Sequence, residues 1–380
     1  MRPLHHTRVY LHLDRLDHNL RLLKRAAANR PLWPAVKANA YGHGLEIIAH
    51  RLAESGITTL CVADIDEAMR LFKAVPDARV ILLSAMLPEH APAIVSLGCE
   101  ACVCTREMAE ALAREGDRRR KRVFVHLKVD TGMGRCGIRP HEIGPFLEWS
   151  RSFPALRING VMSHFASADQ AEKESAREQI NRFNKVVETA GSFGITSVHM
   201  ANSAAIFDLP ESLFSAVRPG IAIYGLAPSA AIANPLVKEL RPVLEWKTRV
   251  TFLKTVPPGT GLSYGHIYHT KRSSHIATIP VGYGDGLCRN LSGKLTVLVG
   301  GRRCPQVGRI TMDQCLIDVT ALQGRVGIGD EVVLIGRQAG EEISADELAS
   351  RQGTINYEVV TAIAERVPRL VFPADDGGGR

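Results

Sequence analysis

Apolar residues along this 380-residue chain fall into two regimes. Up to about residue 225, short apolar runs alternate with stretches where apolar residues recur every three or four positions. The runs read as buried strands and the periodic stretches as amphipathic helices. Strands are predicted at 31–37, 59–63, 79–85, 100–105, 123–129, 159–164, 197–201 and 216–218. Helices are predicted at 14–28 (Leu16, Leu20 and Leu23 on one face, Asp14 as N-cap), 44–55, 66–74, 89–97, 106–115 and 172–190. Eight strands, each separated from the next by helical material, predict a (β/α)8 TIM-type barrel rather than an open doubly wound sheet.

After Tyr224-Gly225-Leu226 the pattern changes. Residues 227–235 are rich in Ala, Pro and Ser, as in a linker. Beyond them come β-rich runs at 246–255, 275–281, 294–299, 316–319 and 331–335, punctuated by Gly and Pro, and one helix at 345–351. The expected organisation is a barrel over 1–236, a smaller, mainly β domain over 237–373, and a disordered tail over 374–380. A chain of this length exceeds one ordinary hydrophobic core, which also favours two domains.

The barrel reading carries a test. Reactive groups in such barrels sit at the C-terminal ends of strands or just after them. Lys37, Lys128, His164, Asn202 and Arg218 all fall there. In the run 124–130, Val125, Leu127 and Val129 share one parity, suited to the outside of the barrel, and His126, Lys128 and Asp130 share the inward one. Lys37 closes the first strand in Ala35-Val36-Lys37-Ala38-Asn39-Ala40-Tyr41-Gly42-His43-Gly44, before a Gly-rich turn that opens a helix. A lysine held there in low dielectric has a lowered pKa and is a candidate for a Schiff base with an aldehyde cofactor. The alternative is a lysine that reaches out to water.

AVKANAYGHG resembles the signature of the alanine racemase family, and matching segments recur from about residue 8 to 372. The resemblance implies pyridoxal 5′-phosphate (PLP) as cofactor, with Lys37 as its Schiff-base lysine and Tyr41 on its phosphate. KVDTGMGR, 128–135, is a second such motif; it implies that Arg135 contacts the cofactor's phenolic oxygen and the substrate carboxylate, and that Lys128 is carbamylated as N-carboxylysine. The alternative is a bare lysine paired with Asp130. The resemblance further assigns His164 to a proton relay, Ser203 to the phosphate with Asn202 nearby, and Arg218 to the pyridine nitrogen. After the last strand, the backbone N–H groups of Gly220 and Ile221 suit a phosphate cradle.

The β-rich half carries further motifs. Gly261-Leu262-Ser263-Tyr264-Gly265 resembles the family's catalytic tyrosine segment, and 281–286 its VGYADG segment, with Tyr283 near the substrate and Gly284 in place of the commoner alanine. Thr311-Met312-Asp313-Gln314 matches the segment whose methionine N–H meets the substrate carboxylate, so Met312 and Asp313 are expected to bind substrate, and Tyr357 is expected on the phosphate. Together these imply racemisation of alanine by two bases, Lys37 on the D face and Tyr264 of the partner subunit on the L face, in a head-to-tail homodimer with shared sites. A phenol needs help to act as a base near neutral pH, and His164 with Arg218 would supply it. A serine or broad-specificity racemase stays open. A fold-related decarboxylase would pair the pyridine nitrogen with a glutamate rather than Arg218, and a non-enzymatic PLP-binding barrel would lack the second domain.

Composition adds little that redirects this reading. Hydrophobic residues make up 45% and charged residues 23%, as in an ordinary soluble protein, and no apolar run is long enough for a membrane span. The N-terminal residues lack the apolar core of a signal peptide, so the cytoplasm is expected. Net charge is +8, with five positives at Arg118, Arg119, Arg120, Lys121 and Arg122. No aromatic residue interleaves them, so a solvated loop is expected and no nucleic-acid partner. Cys99, Cys102 and Cys104 form a CxxCxC cluster without a fourth ligand or second pair, so reduced structural thiols and no metal are expected.

Overall fold

The computed structural model describes residues 5–373, and the predicted tail at 374–380 lies outside them. The chain divides into two compact units.

The unit Arg15–Ala40 with Gly44–Arg241 holds the barrel. Six parallel strands pair in sequence order: Thr59–Val62, Arg79–Ala85, Glu100–Val103, Val123–Lys128, Leu156–Met162 and Ser197–His199. Single parallel bridges close the ring, His199 to Ala216, Val217 to Leu32 and Ala35 to Cys61. The first and eighth strands are thus present as bridged segments, giving the (β/α)8 barrel. Helices Leu45–Glu54, Ile65–Ala74, Ala91–Leu97, Arg106–Arg119, Ile143–Ser150, Glu174–Ser192 and Ser203–Asp208 follow successive strands. Strand interiors such as Leu60, Cys61, Ile81, Ala101, Val125 and Leu127 are fully buried, as expected of a parallel sheet covered by helices.

Local signals set many boundaries. Asp64 and Thr105 cap their helices by accepting from Glu67 and Met108 N–H. Asp14 differs from expectation: it lies inside the first turn of helix Leu13–Ala26, where its charge faces the positive end of the helix dipole. Part of the basic run is also helical rather than loop. Arg118 and Arg119 close helix Arg106–Arg119, and both pair with Glu115 one turn earlier.

The other unit comprises Met1–Asp14, Tyr41–His43 and Pro242–Arg380. It is mainly β, built on a ten-stranded sheet. Strand Arg8–Leu11 lies inside this sheet, between Arg369–Val371 (parallel) and Leu244–Arg249 (antiparallel). Strand Arg8–Leu11 therefore belongs with the mainly β unit and not with the barrel, because its backbone groups pair there. The predicted strand 246–255 breaks at Val250-Thr251 into Leu244–Arg249 and Phe252–Val256, which sit far apart in the sheet order. Among the described residues no helix is long and apolar enough to cross a membrane.

Candidate active site

Lys37 is half-buried where the first barrel segment ends. Burial lowers its pKa below the usual lysine range; Arg135 adds to the shift and Glu67 opposes it. The chain then makes an unusual turn: Ala38, Asn39 and Ala40 all adopt left-handed helical angles, φ 52, 53 and 54°, and Tyr41 follows at φ 51°. Each costs an L-residue roughly 1–2 kcal/mol. Fixed partners offset the strain: Ala40 N–H donates to Val36 O at 2.8 Å and Gly44 N–H to Asn39 O at 2.9 Å, while Asn39 Oδ1 accepts from Leu45 N–H at 2.9 Å and Arg70 Nη2 at 3.1 Å.

Lys128 ends strand Val123–Lys128, 5% exposed. Among the described residues no carboxylate forms an ion pair with it. Burial, and then the charge of Arg218, push its pKa down to about 8. Asp130 is not its partner: that carboxylate accepts from the backbone N–H groups of Gly132, Met133 and Gly134 at 2.9–3.1 Å and shapes the loop carrying Arg135. Arg135 itself is exposed.

Arg218 is 4% exposed at the barrel's centre. Its Nη1 donates to His199 Nδ1 and to His199 O (2.9 Å), and its Nη2 to Ser163 O (2.7 Å), His164 Nδ1 (3.3 Å) and Met200 O (3.3 Å). Among the described residues its Nε–H takes no partner and is the donor left for a ligand. Burial lowers its pKa to about 10, leaving it a cation near neutral pH.

Behind Arg218 runs a line of polar groups. His199 Nε2 lies 2.9 Å from His126 Nδ1, and His126 Nε2 lies 2.7 Å from Glu100 Oε2. Burial raises the Glu100 pKa, but hydrogen bonds from Arg79, His126 and Asn159 prevail and hold it down at about 2. Burial keeps both imidazoles neutral: it outweighs Glu100 at His126, and Arg218 reinforces it at His199. One tautomer pattern satisfies the line. An ionised Glu100 accepts from His126 Nε2–H, His126 Nδ1 accepts from His199 Nε2–H, and His199 Nδ1 accepts from Arg218. Gly160 makes room for it, since a Cβ there would lie 2.6 Å from His126 Nδ1. His164 is half-buried, and burial, with Arg218 and Lys128 adding to it, holds its pKa well below the usual range.

Asn202 caps helix Ser203–Asp208, its Oδ1 accepting from Ala205 N–H at 3.0 Å. Ser203 Oγ accepts from Gly220 N–H at 2.9 Å and Ala222 N–H at 3.3 Å. The Gly220 N–H is therefore engaged, contrary to the sequence expectation. Its effect is to occupy the hydroxyl's lone pairs, so the Ser203 O–H is turned out as a donor. Ile221 N–H opens the turn Ile221–Tyr224 and so has no partner within it.

The remaining residues lie in the mainly β unit. Tyr264 is 71% exposed, on a loop with left-handed angles at Ser263 (φ 62°) and His266 (φ 44°). It borders a cavity of about 450 Å³ with Thr311 and Gln314. Met312 N–H has no partner among the described residues, while Met312 O accepts from Gly284 N–H at 2.8 Å. The Asp313 carboxylate is engaged by Arg366 at 2.9 Å, and Arg366 also binds the buried Asp285 at 2.8 Å. At Gly284 a Cβ would come 2.6 Å from Arg366 Nη2, the mobile end of a long side chain, and 3.0 Å from Met312 O. Tyr283 N–H donates to Thr311 O at 3.0 Å, and the Tyr41 and Tyr357 rings are 6.2 Å apart.

Comparison with known proteins fits this arrangement. Residues 11–228 match the alanine racemase N-terminal domain and residues 243–371 the alanine racemase C-terminal domain. The chain belongs to the alanine racemase family. It is 40% identical over 363 residues to an alanine racemase of Clostridium novyi, covering 95% of this chain and 94% of that one. It is 42% identical over 361 residues to one from Desulfovibrio desulfuricans, covering 94% and 96%. Among solved structures, the Bacillus anthracis alanine racemase with bound L-Ala-P superimposes with a TM-score of 0.91 at 38% identity, over 98% of this chain and 96% of that one.

Alanine racemases are PLP-dependent, and the barrel residues suit that cofactor: a lysine amine, an arginine Nε–H for a ring acceptor, and a serine hydroxyl with backbone N–H groups for a phosphate. Sequence reasoning missed Glu100 and the grouping of His126 with His199. The inward parity of His126 was the available signal.

Proposed function

We propose that the protein is a PLP-dependent alanine racemase. What supports this is the set of groups at the ends of the barrel strands: the Lys37 amine suits an aldehyde, the Arg218 Nε–H a ring nitrogen, and the Ser203 hydroxyl, already accepting from Gly220, a phosphate. Arg135, Asn202 and Ile221, with Tyr41 and Tyr357, complete the proposed holding set, and Gly220, its N–H on Ser203 Oγ, orients that hydroxyl. PLP, when bound, supplies an electron sink that acidifies the Cα proton of an amino acid. Because an arginine keeps its proton, its partner nitrogen remains an acceptor and the sink is moderate, which suits rapid return of the proton.

Inversion needs a proton removed from one face and returned on the other. Lys37, whose amine is made accessible by its lowered pKa, serves the D face. Tyr264 serves the L face from the partner subunit of a head-to-tail homodimer, a role consistent with its exposure. Arg218 and His164 hold the phenol's proton path, while Arg135 and the Met312 N–H receive the substrate carboxylate near Asp313 and Tyr283. The eight free cysteines fit a reducing cytoplasm.

The test is exchange in D2O. L-Alanine should yield D-alanine bearing deuterium at Cα, with L-serine turning over far more slowly. Tyr264→Phe should retain cofactor absorbance but lose interconversion by about 10²-fold or more. Unchanged interconversion in that variant ends the two-base reading.

We further propose that Lys128 is an N-carboxylysine. A buried amine of lowered pKa adds CO2, losing a proton to give a carbamate whose negative charge meets Arg135 and Arg218. Intact mass should show one added CO2, and dialysis against CO2-free buffer should lower activity that bicarbonate restores. A bare amine in bicarbonate removes the proposal.

A further inference from the structure

Glu67 has no part in the roles above, yet it touches the residue next to Lys37. It sits in the first turn of helix Ile65–Ala74, its own N–H donated to the cap Asp64 at 2.9 Å. From there each carboxylate oxygen accepts from a different backbone N–H: Oε1 from Ala38 at 2.5 Å and Oε2 from Ala63 at 2.8 Å. Ala38 follows Lys37, and Ala63 follows strand Thr59–Val62. The two segments are neighbours in the barrel, bridged at Ala35 and Cys61. One carboxylate thus ties together the C-terminal ends of adjacent strands, at the first residue of the left-handed turn.

That turn contains no glycine through Tyr41, and only Asn39 is a residue that tolerates the left-handed region well. Its later residues have other partners, Asn39 with Leu45 and Arg70, and Ala40 with Val36. Ala38, which sets the direction in which the chain leaves Lys37, depends on Glu67. We infer that Glu67 is a positioning residue for Lys37: it fastens the turn to the neighbouring strand end, fixes where the lysine side chain departs, and sets a negative charge facing its amine. The inference rests on Lys37 being the cofactor lysine of the proposed racemase.

Two variants separate the clamp from the charge. Glu67→Gln keeps the shape, but its amide NH2 confronts one of the two N–H donors, and the charge is gone. Glu67→Asp keeps the charge but is too short to reach both donors. The full-length protein, freed of cofactor with hydroxylamine, is labelled with acetic anhydride across pH, and Lys37 acetylation is followed by mass spectrometry. Because Glu67 favours the ammonium form, the labelling midpoint should fall in Glu67→Gln and return in Glu67→Asp. Amide exchange at Ala38 should quicken in both variants. In the cofactor-loaded enzyme, kcat should fall about 10- to 100-fold in both, with KM little changed, as for a misplaced reacting group. A wild-type labelling midpoint and Ala38 exchange rate in Glu67→Gln overturn the inference. If the unmodified protein racemises nothing, the racemase reading fails by itself, and labelling with amide exchange still decides the role of Glu67.

Discussion

Lys37→Ala is expected to lose racemase activity by about 10³-fold or more while the protein stays folded. In the proposed reaction two functions depend on this one amine: holding the cofactor and moving the proton on the D face. General acid–base catalysis alone is typically worth about 10²–10⁴ in rate. The fold should survive because the lysine contributes little to it. Its folded pKa is lowered by burial, so its charged form is disfavoured in the folded state, and below the folded pKa removing it relieves a desolvation cost rather than an attraction. Chiral analysis of alanine incubated with the variant, beside urea unfolding of the same sample, checks both halves. Activity within tenfold of the unmodified enzyme would remove Lys37 from both roles.

Glu100→Gln is expected to destabilise the protein by about 3 kcal/mol near neutral pH, from a carboxyl pKa held at about 2 against an ordinary 4.5. The sign follows from the depressed value: the stabilisation is complete above the unfolded pKa of 4.5 and is lost as pH falls toward 2. The gap between the two proteins should therefore narrow on acidification. Catalysis should suffer as well. Without the carboxylate, His126 is free to place its proton on Nδ1; His199 then carries its own on the nitrogen facing Arg218, and donor meets donor. Arg218 would shift and carry its Nε–H with it. Urea unfolding at neutral pH and near pH 3, with kcat measured on folded protein, tests the pair of effects. Equal stability of the two proteins near neutrality would show that Glu100 holds no buried charge in register.

Much of this was legible in the chain and some was not, for definite reasons. Lys37, Lys128, His164, Asn202 and Arg218 could be placed because a strand end is a local event, marked by an apolar run that stops. Glu100, His126 and His199 could not be grouped, because their contacts span 26 and 73 positions and no local spacing records them. The turn after Lys37 was hidden for another reason: in Ala-Asn-Ala-Tyr only Asn39 tolerates left-handed angles well, and the hydrogen bonds holding Ala38 and Ala40 come from Glu67 and Val36. Strand Arg8–Leu11 escaped notice because it stands alone before the first helix, while the strands it pairs with lie more than 230 positions away. The engagement of the Gly220 N–H by Ser203 and of the Asp313 carboxylate by Arg366 could not be read, because a sequence shows which polar groups exist and not which are already engaged.

That early strand has a consequence for how the protein comes into being. Val9 pairs with Arg369, and Tyr10 with Glu245, so its neighbours on either side are synthesised long after it. At ribosomal rates of about 5–20 residues per second, it waits tens of seconds for the partner at Arg369. The barrel unit is drawn from residues between 15 and 241, so it can close while the other is still being made. Throughout this interval Val9 and Leu11, both fully buried in the finished protein, ride on a nascent strand with both edges open. This is the period when the chain is most exposed to pairing with a neighbour on the same messenger, and when a holding chaperone would matter most.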